Sequence, residues 1–153
     1  MVDVHIASNT NVAKVTIHAV PDKPGIAAEI FGKLGNEGFN VELVVSGISY
    51  KDRVDVSFAV AENELDPIKT LLEKIKDEIG AEKVSHTTSI ALVSIAGHQL
   101  AQTAGMAGKM FNALSAAGIN IDTISTSMSS VTCVVARDKA EAAVEALRKE
   151  LQA

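Results

Sequence analysis

The sequence predicts an α+β fold of two ferredoxin-like β-α-β-β-α-β units, each an antiparallel sheet with two helices on one face. Three observations carry this. The stretch GIAAEIFGKLGNEGFN at 25–40 lies over GMAGKMFNALSAAGIN at 105–120 at a constant offset of eighty residues. That offset aligns Gly25 with Gly105, Ala27 with Ala107, Phe31 with Phe111, Leu34 with Leu114, Gly38 with Gly118 and Asn40 with Asn120, which marks a duplicated supersecondary unit. Around each copy, segments of two-residue apolar alternation and of helical periodicity follow one another in the same order. Finally, the second copy ends one strand short, while an unassigned strand-like run stands at the N-terminus.

Element by element, AKVTIHAV (13–20) alternates and is rich in β-branched residues, which predicts a strand. Ile26, Ala27, Ile30, Phe31 and Leu34 then share one helical face, and Gly38 stops that helix in a left-handed role. Strands are expected over 40–49 and 53–60, joined by a hairpin turn at Tyr50-Lys51-Asp52. ENELDPIKTLLEKIKDEIG is expected to be a helix with Leu65, Ile68, Leu72, Ile75 and Ile79 inward, Asn63 as its cap, Pro67 in its first turn and Gly80 at its end. Residues 81–88 complete the first unit as a fourth strand. The second unit reads as strand 89–96, helix 104–117, strands 119–127 and 130–136, and helix 138–152.

The spare strand, VDVHIAS at 2–8, is expected to fill the vacant place in the second sheet. The expected domains are therefore 13–88 for the first and 2–8 plus 89–153 for the second. No Pro/Gly/Ser-rich tether separates them.

Composition narrows the function classes. The chain is 47% hydrophobic and 22% charged, ordinary for a folded domain, and no apolar run approaches the roughly 18–20 residues that span a bilayer. The N-terminus lacks the layout of a secretory signal, so a cytoplasmic location without membrane association is expected. A net charge of −5, with cations interspersed among acids, argues against nucleic acid as a partner. RNA-recognition domains share this strand order, yet they need stacking aromatics on the central strands, where this chain offers only Phe58.

Catalytic and metal chemistry find little support. His5, His18, His86 and His98 lack metal-type spacing, and the first loop, PDKP, lacks the paired thiols of metal-carrying domains of this topology. Cys133, the single cysteine, sits mid-strand in SVTCVVA and reads as a buried structural thiol. No phosphate-binding glycine loop or Ser/His/Asp set is visible, so no cofactor and no catalytic residue is expected.

The loop between first strand and first helix is the remaining candidate. A helix start offers unpaired N–H groups suited to a carboxylate, and Gly25 and Gly105 permit close approach to the backbone. Asp22 can accept from an ammonium group, and Asn40 can both donate and accept. On physics alone, a plain turn fixed by proline and a ligand-holding loop describe PDKPG equally well.

KVTIHAVPDKPGIAAEIFGKLGNEGFNVELVVSG and MAGKMFNALSAAGINIDTISTS strongly resemble the tandem ACT domains of the regulatory region, or regulatory beta subunit, of aspartate kinases. The resemblance covers nearly the whole chain, and DKPG, the NV and NI strand openings and ISTS are its specific marks. It implies binding of a small amino acid, threonine or lysine, at an interface between ACT domains. Carried over to this sequence, the first-copy effector residues are Asp22, Lys23, Pro24, Gly25, Ile26, Asn40 and Ser46. Asn120, Ile121 and Thr126 are the second-copy counterparts. The implied role is non-catalytic feedback control of the lysine/threonine/methionine branch, without the kinase domain. A homodimer through ACT domains and a catalytic aspartate kinase subunit are the implied partners. The alternatives are a stand-alone ACT sensor, or an assembly module for another enzyme with effector binding altered or lost.

Three positions depart from the family pattern. Ser46 stands where relatives commonly have glutamine, TAG (103–105) replaces His-Pro-Gly, and Met128 replaces the glutamate after STS. The first copy is therefore the expected ligand-holding one.

Overall fold

The computed structural model describes residues 4–152, so residues 2 and 3 of the expected N-terminal strand and residue 153 lie outside the described residues. The chain divides into two compact units: Asn11–Thr88, and the residues up to Thr10 together with Ser89 onward.

The first unit draws on β1 (His5–Pro21), α1 (Ile26–Asn36), β2 (Glu42–Tyr50), β3 (Arg53–Val60), α2 (Leu65–Ile79) and β4 (Lys83–Ala96). Its strand order is β2-β3-β1-β4, with β3 antiparallel to both β1 and β2. This is the ferredoxin-like order expected from the sequence. The core lies between sheet and helices: Val15, Ile17 and Phe58 from the strands meet Ile30 and Leu34 of α1 and Ile68, Leu72 and Ile75 of α2. The inward set of α2 is Leu65, Ile68, Leu72, Ile75 and Ile79, as its periodicity indicates. On α1, Ile26, Ile30 and Leu34 are buried and Phe31 is half-buried, whereas Ala27 is exposed rather than inward. Phe58 stands edge-on to Phe31, ring centroids 5.2 Å apart, with its side chain fully buried. It faces the helices and offers no platform for a base.

The second unit uses the opening of β1 and the end of β4, followed by α3 (Met106–Ala116), β5 (Thr123–Thr126), β6 (Ser130–Ala136) and α4 (Ala140–Leu151). Its order is β1-β4-β6-β5. The N-terminal stretch thus supplies the strand that the second copy lacks, and Val4 is buried in that unit's core beside Ala91, Val93 and Cys133.

Several boundaries differ from expectation. The runs 2–8 and 13–20 are joined in one strand, β1, and 81–88 with 89–96 in another, β4. Asn9 to Asn11 carry no glycine or proline, so nothing breaks extended backbone there. Residues 119–127 shorten to the four residues of β5. Asn63 is not a cap: Ala61 is extended (φ −62°, ψ 129°) and Glu62–Glu64 form a 3-10 turn leading into α2, so Asn63 already lies inside the turn. The second copy repeats this entry with Ala136 and Arg137–Lys139.

Both first helices of the two copies close identically. Gly38 (φ 82°) and Gly118 (φ 73°) are left-handed, with Phe39 N–H donating to Leu34 O and Ile119 N–H to Leu114 O. Gly38 and Gly118 also donate to Gly35 O and Ser115 O, which completes a Schellman closure in each copy. The β2–β3 hairpin turns on Lys51 (φ 29°) and Asp52 (φ 37°), left-handed at both central positions as strand twist favours.

Candidate functional site

The loop Asp22–Gly25 leads into α1. Asp22 N–H donates to Asp52 O at 2.9 Å, tying the loop to the β2–β3 hairpin. Gly25 occupies the N-cap with φ 92°, and no side chain caps the helix. Its φ explains the glycine better than close approach does, since a Cβ built there meets nothing within 4 Å. Ile26 N–H turns back to Lys23 O, and Glu29 N–H donates to Gly25 O at 3.0 Å, whereas the amides of Ala27 and Ala28 have no backbone acceptor among the described residues. Both residues are exposed. Two free N–H groups at the positive end of α1, beside the exposed Asp22 and Lys23, can receive a carboxylate and place an acceptor near an ammonium group. Pro24 is exposed, while the Ile26 side chain is buried in the core, which leaves its main chain facing the loop.

The remaining first-copy residues stand elsewhere. Asn40 lies beyond the far end of α1, two residues before β2 rather than opening it; eleven helical residues span roughly 16 Å. Ser46 is mid-strand on β2, paired with Val56. Within one unit, then, the loop and Asn40 do not converge.

Ser46 does share a distinctive surface. Val56, its cross-strand partner, faces the helices, as does Val54, the partner of Ile48. Ser46 and Ile48 therefore point to the helix side of the sheet, and Val44 lies next to them in the register slip between Glu42 and Val45. Yet Val44 is 48% and Ile48 95% exposed, because β2 is the outer strand of its unit and no helix of that unit covers it. Eighty residues on, the second unit repeats the stripe along β5 and just past its end, where Met128 lies two residues beyond the strand. Ile124 pairs with buried Cys133 and Thr126 with buried Val131, while Ile124 is 45% and Met128 81% exposed. Among the described residues, four of the five large exposed hydrophobic ones are thus two copies of one feature, each with a hydroxyl residue, Ser46 or Thr126, at its centre.

Asn120 and Ile121 meet Phe111, Ser115, Gly118 and Ile119 in an open depression of about 480 Å3 at the end of α3. The second copy repeats the helix entry of the first: Gly105 (φ 84°) is the N-cap of α3, and Lys109 N–H donates to Gly105 O at 2.9 Å. The approach to the helix differs: nine residues, 97–105, separate β4 from α3, with turns closed by Leu100 N–H to Gly97 O and Gln102 N–H to Gln99 O, where four separate β1 from α1, and Gln102-Thr103-Ala104 stand where the first copy has Asp22-Lys23-Pro24.

The ACT domain family matches residues 15–80 and again 93–151. The regulatory subunit of aspartate kinase from Thermus thermophilus, in its ligand-free form, superposes with a TM-score of 0.85 at 32% identity, covering 95% of each chain. A structure of aspartokinase alpha and beta subunits matches equally, with TM-score 0.85, 30% identity and 97% of each chain covered.

The chain belongs to the tandem ACT regulatory regions of aspartate kinases.

The aspartate kinase of Pseudomonas fluorescens strain SBW25 is 41% identical over 142 residues, 93% of this chain and 34% of that protein. This ACT pair accordingly spans about a third of the length of the curated relatives it matches. No helix among the described residues is long and apolar enough to cross a membrane, and none of their His, Cys, Asp and Glu residues group to hold a metal ion. Cys133 is fully buried, and burial pushes its thiol up to about 11, as an inert structural thiol requires.

Sequence reasoning missed one polar cluster in the first unit. The β1–β3 register slips between Ile17 and Val20, making a bulge with Ala19 left-handed at φ 56°. Asp55 Oδ1 accepts Ala19 N–H at 3.0 Å, and Arg53 Nη1 donates to Ala19 O at 2.8 Å. His18 Nε2 meets Ser85 Oγ at 2.7 Å, with Nδ1 3.6 Å from Asp55 Oδ2. The Ala19 amide holds the Asp55 carboxyl below its ordinary value, with Ser49 and His18 adding to the shift against the opposing effect of burial. One signal was present: strict alternation would put Ala19 inward and Val20 outward, and two adjacent apolar residues mark the extra position.

Proposed function

We propose that this chain is a non-catalytic, cytoplasmic regulatory protein that binds a small amino acid and confers feedback control on an aspartate kinase of the lysine/threonine/methionine branch. Threonine or lysine is the effector, and Asp22, Lys23, Pro24, Gly25, Ile26, Asn40 and Ser46 form the first-copy site, with Asn120, Ile121 and Thr126 as counterparts.

The repeated stripe Val44-Ser46-Ile48 and Ile124-Thr126-Met128 is the observation that carries this reading. An uncovered, helix-side apolar face on an outer strand invites a second ACT unit to lie beside it. Such pairing brings the loop of one copy to the outer strand of another, which accounts for Asp22 and Asn40 lying apart within one unit. The effector carboxylate then takes the free amides of Ala27 and Ala28, and Asp22 accepts from its ammonium group. A ligand held between copies favours the paired arrangement, and the coupling to a kinase subunit equals the difference in ligand affinity between its two states. The structural match to aspartokinase alpha and beta subunits supports a separate catalytic partner.

A thermal-shift panel of the proteinogenic amino acids tests the reading. Threonine or lysine at millimolar concentration is expected to raise the melting temperature, because a ligand that binds only the folded chain stabilises it by mass action. Silence across the whole panel, with a stable kinase complex still forming, would leave an assembly module in its place.

A further inference from the structure

The β1 bulge borders a pocket of about 390 Å3 lined by Ala19, Ser49, Tyr50, Arg53, Gly80 and Glu82. It lies wholly within the first unit, and its volume is at the lower end of the roughly 300–1,000 Å3 typical of small-ligand sites. Arg53 is held firmly: Nη1 donates to Ala19 O and to Gly80 O, each at 2.8 Å. Those bonds engage both hydrogens of Nη1 and leave Nε and Nη2 without a protein partner among the described residues. Glu82 is fixed through its main chain, whose N–H donates to His18 O at 2.9 Å, while its carboxylate has no partner among the described residues. Arg53 and Glu82 therefore line one pocket from the two sides of the bulge without forming an ion pair.

A guanidinium and a carboxylate that share a pocket unpaired leave room for a ligand carrying the complementary pair. Ser49 and the exposed ring of Tyr50, with Lys51 Nζ 5.5 Å from its centroid, stand beside them. The bulge gives a reason for this preorganisation. A left-handed alanine is disfavoured, and here its peptide is gripped on both sides, N–H by Asp55 and C=O by Arg53. The grip fixes the guanidinium plane before any ligand arrives, as bidentate recognition of a carboxylate demands.

We propose that this pocket is a second binding site, separate from the Asp22–Ile26 loop, for a small zwitterion of the α-amino acid class, its carboxylate on Arg53 and its ammonium on Glu82.

Backbone amide chemical shifts of the full chain, titrated singly with each proteinogenic amino acid and with acetate and ethylamine, test it. At least one amino acid is expected to move Ser49, Arg53 and Glu82 together at millimolar concentration, more strongly than acetate or ethylamine does. Glu82→Gln, which removes no bond that holds the fold, is expected to weaken that amino acid roughly tenfold while leaving acetate unchanged. Arg53→Gln is expected to weaken both. Shifts confined to Asp22–Ala28, no shift at Ser49, Arg53 and Glu82 with any probe, or indifference to Glu82→Gln would each overturn the proposal. Shifts at the loop report on the effector site instead, so the two readings fail separately.

Discussion

Asp55 Oδ1 accepts the N–H of Ala19 at 3.0 Å, and this bond from β3 stabilises a left-handed alanine within β1. Removing the acceptor leaves a half-buried N–H unpaired in a conformation alanine disfavours. Asp55→Ala is expected to cost about 1–2 kcal/mol in chemical denaturation, and Asp55→Asn, which keeps an acceptor oxygen, less.

The same carboxyl fixes a pH dependence. Its pKa in the folded chain lies below the ordinary 3.8, so the folded state favours the ionised form. That contribution is fully present above the unfolded value and is lost as pH falls through the lower folded value. The stability gap between wild type and Asp55→Asn is therefore expected to be constant near neutrality and to narrow below about pH 4. Denaturation midpoints of both proteins across that range check it.

Gly25 and Gly32 separate conformational need from mere helix position. Gly25 has φ 92°, whereas Gly32 lies inside α1 with open space around a would-be Cβ. Gly25→Ala is expected to destabilise by about 1–2 kcal/mol, and Gly32→Ala to stabilise by about 0.5–1 kcal/mol. Thermal melts of the two variants give opposite signs if the loop is built as described.

Most of the fold was legible because it rests on apolar periodicity. The inward face of α2 and the limits of β3 and β6 follow from spacing alone, and the duplication supplied the second unit from the first. Strand ends were less legible: extended backbone carries no intrinsic stop, so 2–8 and 13–20 run together as β1 without a breaker between them. At Gly25 and Gly105 the glycines were legible but their reason was not: sequence suggested close approach to the backbone, whereas φ values of 92° and 84° are what call for glycine. The exposed stripe was not, because Val44 and Ile48 alternate like any core-facing pair. Their exposure depends on β2 being outermost, a property of topology. Arg53 and Glu82 escaped notice since a hairpin residue and a strand-entry glutamate ordinarily face solvent.

Cys133 tests the second core. A fully buried thiol with its pKa near 11 is almost wholly protonated at neutral pH. A disulfide reagent is expected to label it in denaturant at once and in the native chain only at the rate of opening. Cys133→Ser is expected to cost more stability than Cys133→Ala, because a hydroxyl there has no polar surroundings to satisfy it.

Ile48 tests the pairing of outer strands. Since it is 95% exposed within its own unit, Ile48→Lys is expected to change the stability of the single chain by no more than about 0.5 kcal/mol. Sedimentation velocity is expected to show a wild-type dimer and a variant shifted to monomer. An unchanged dimer would remove the stripe from the interface.

Calorimetric titration of threonine and of lysine into wild type and Asp22→Ala reads effector binding at the first-copy loop. Saturable binding of one of them to wild type is expected, weakened roughly tenfold when the Asp22 carboxylate is removed. Absence of binding by either amino acid, or binding that Asp22→Ala leaves intact, would contradict it.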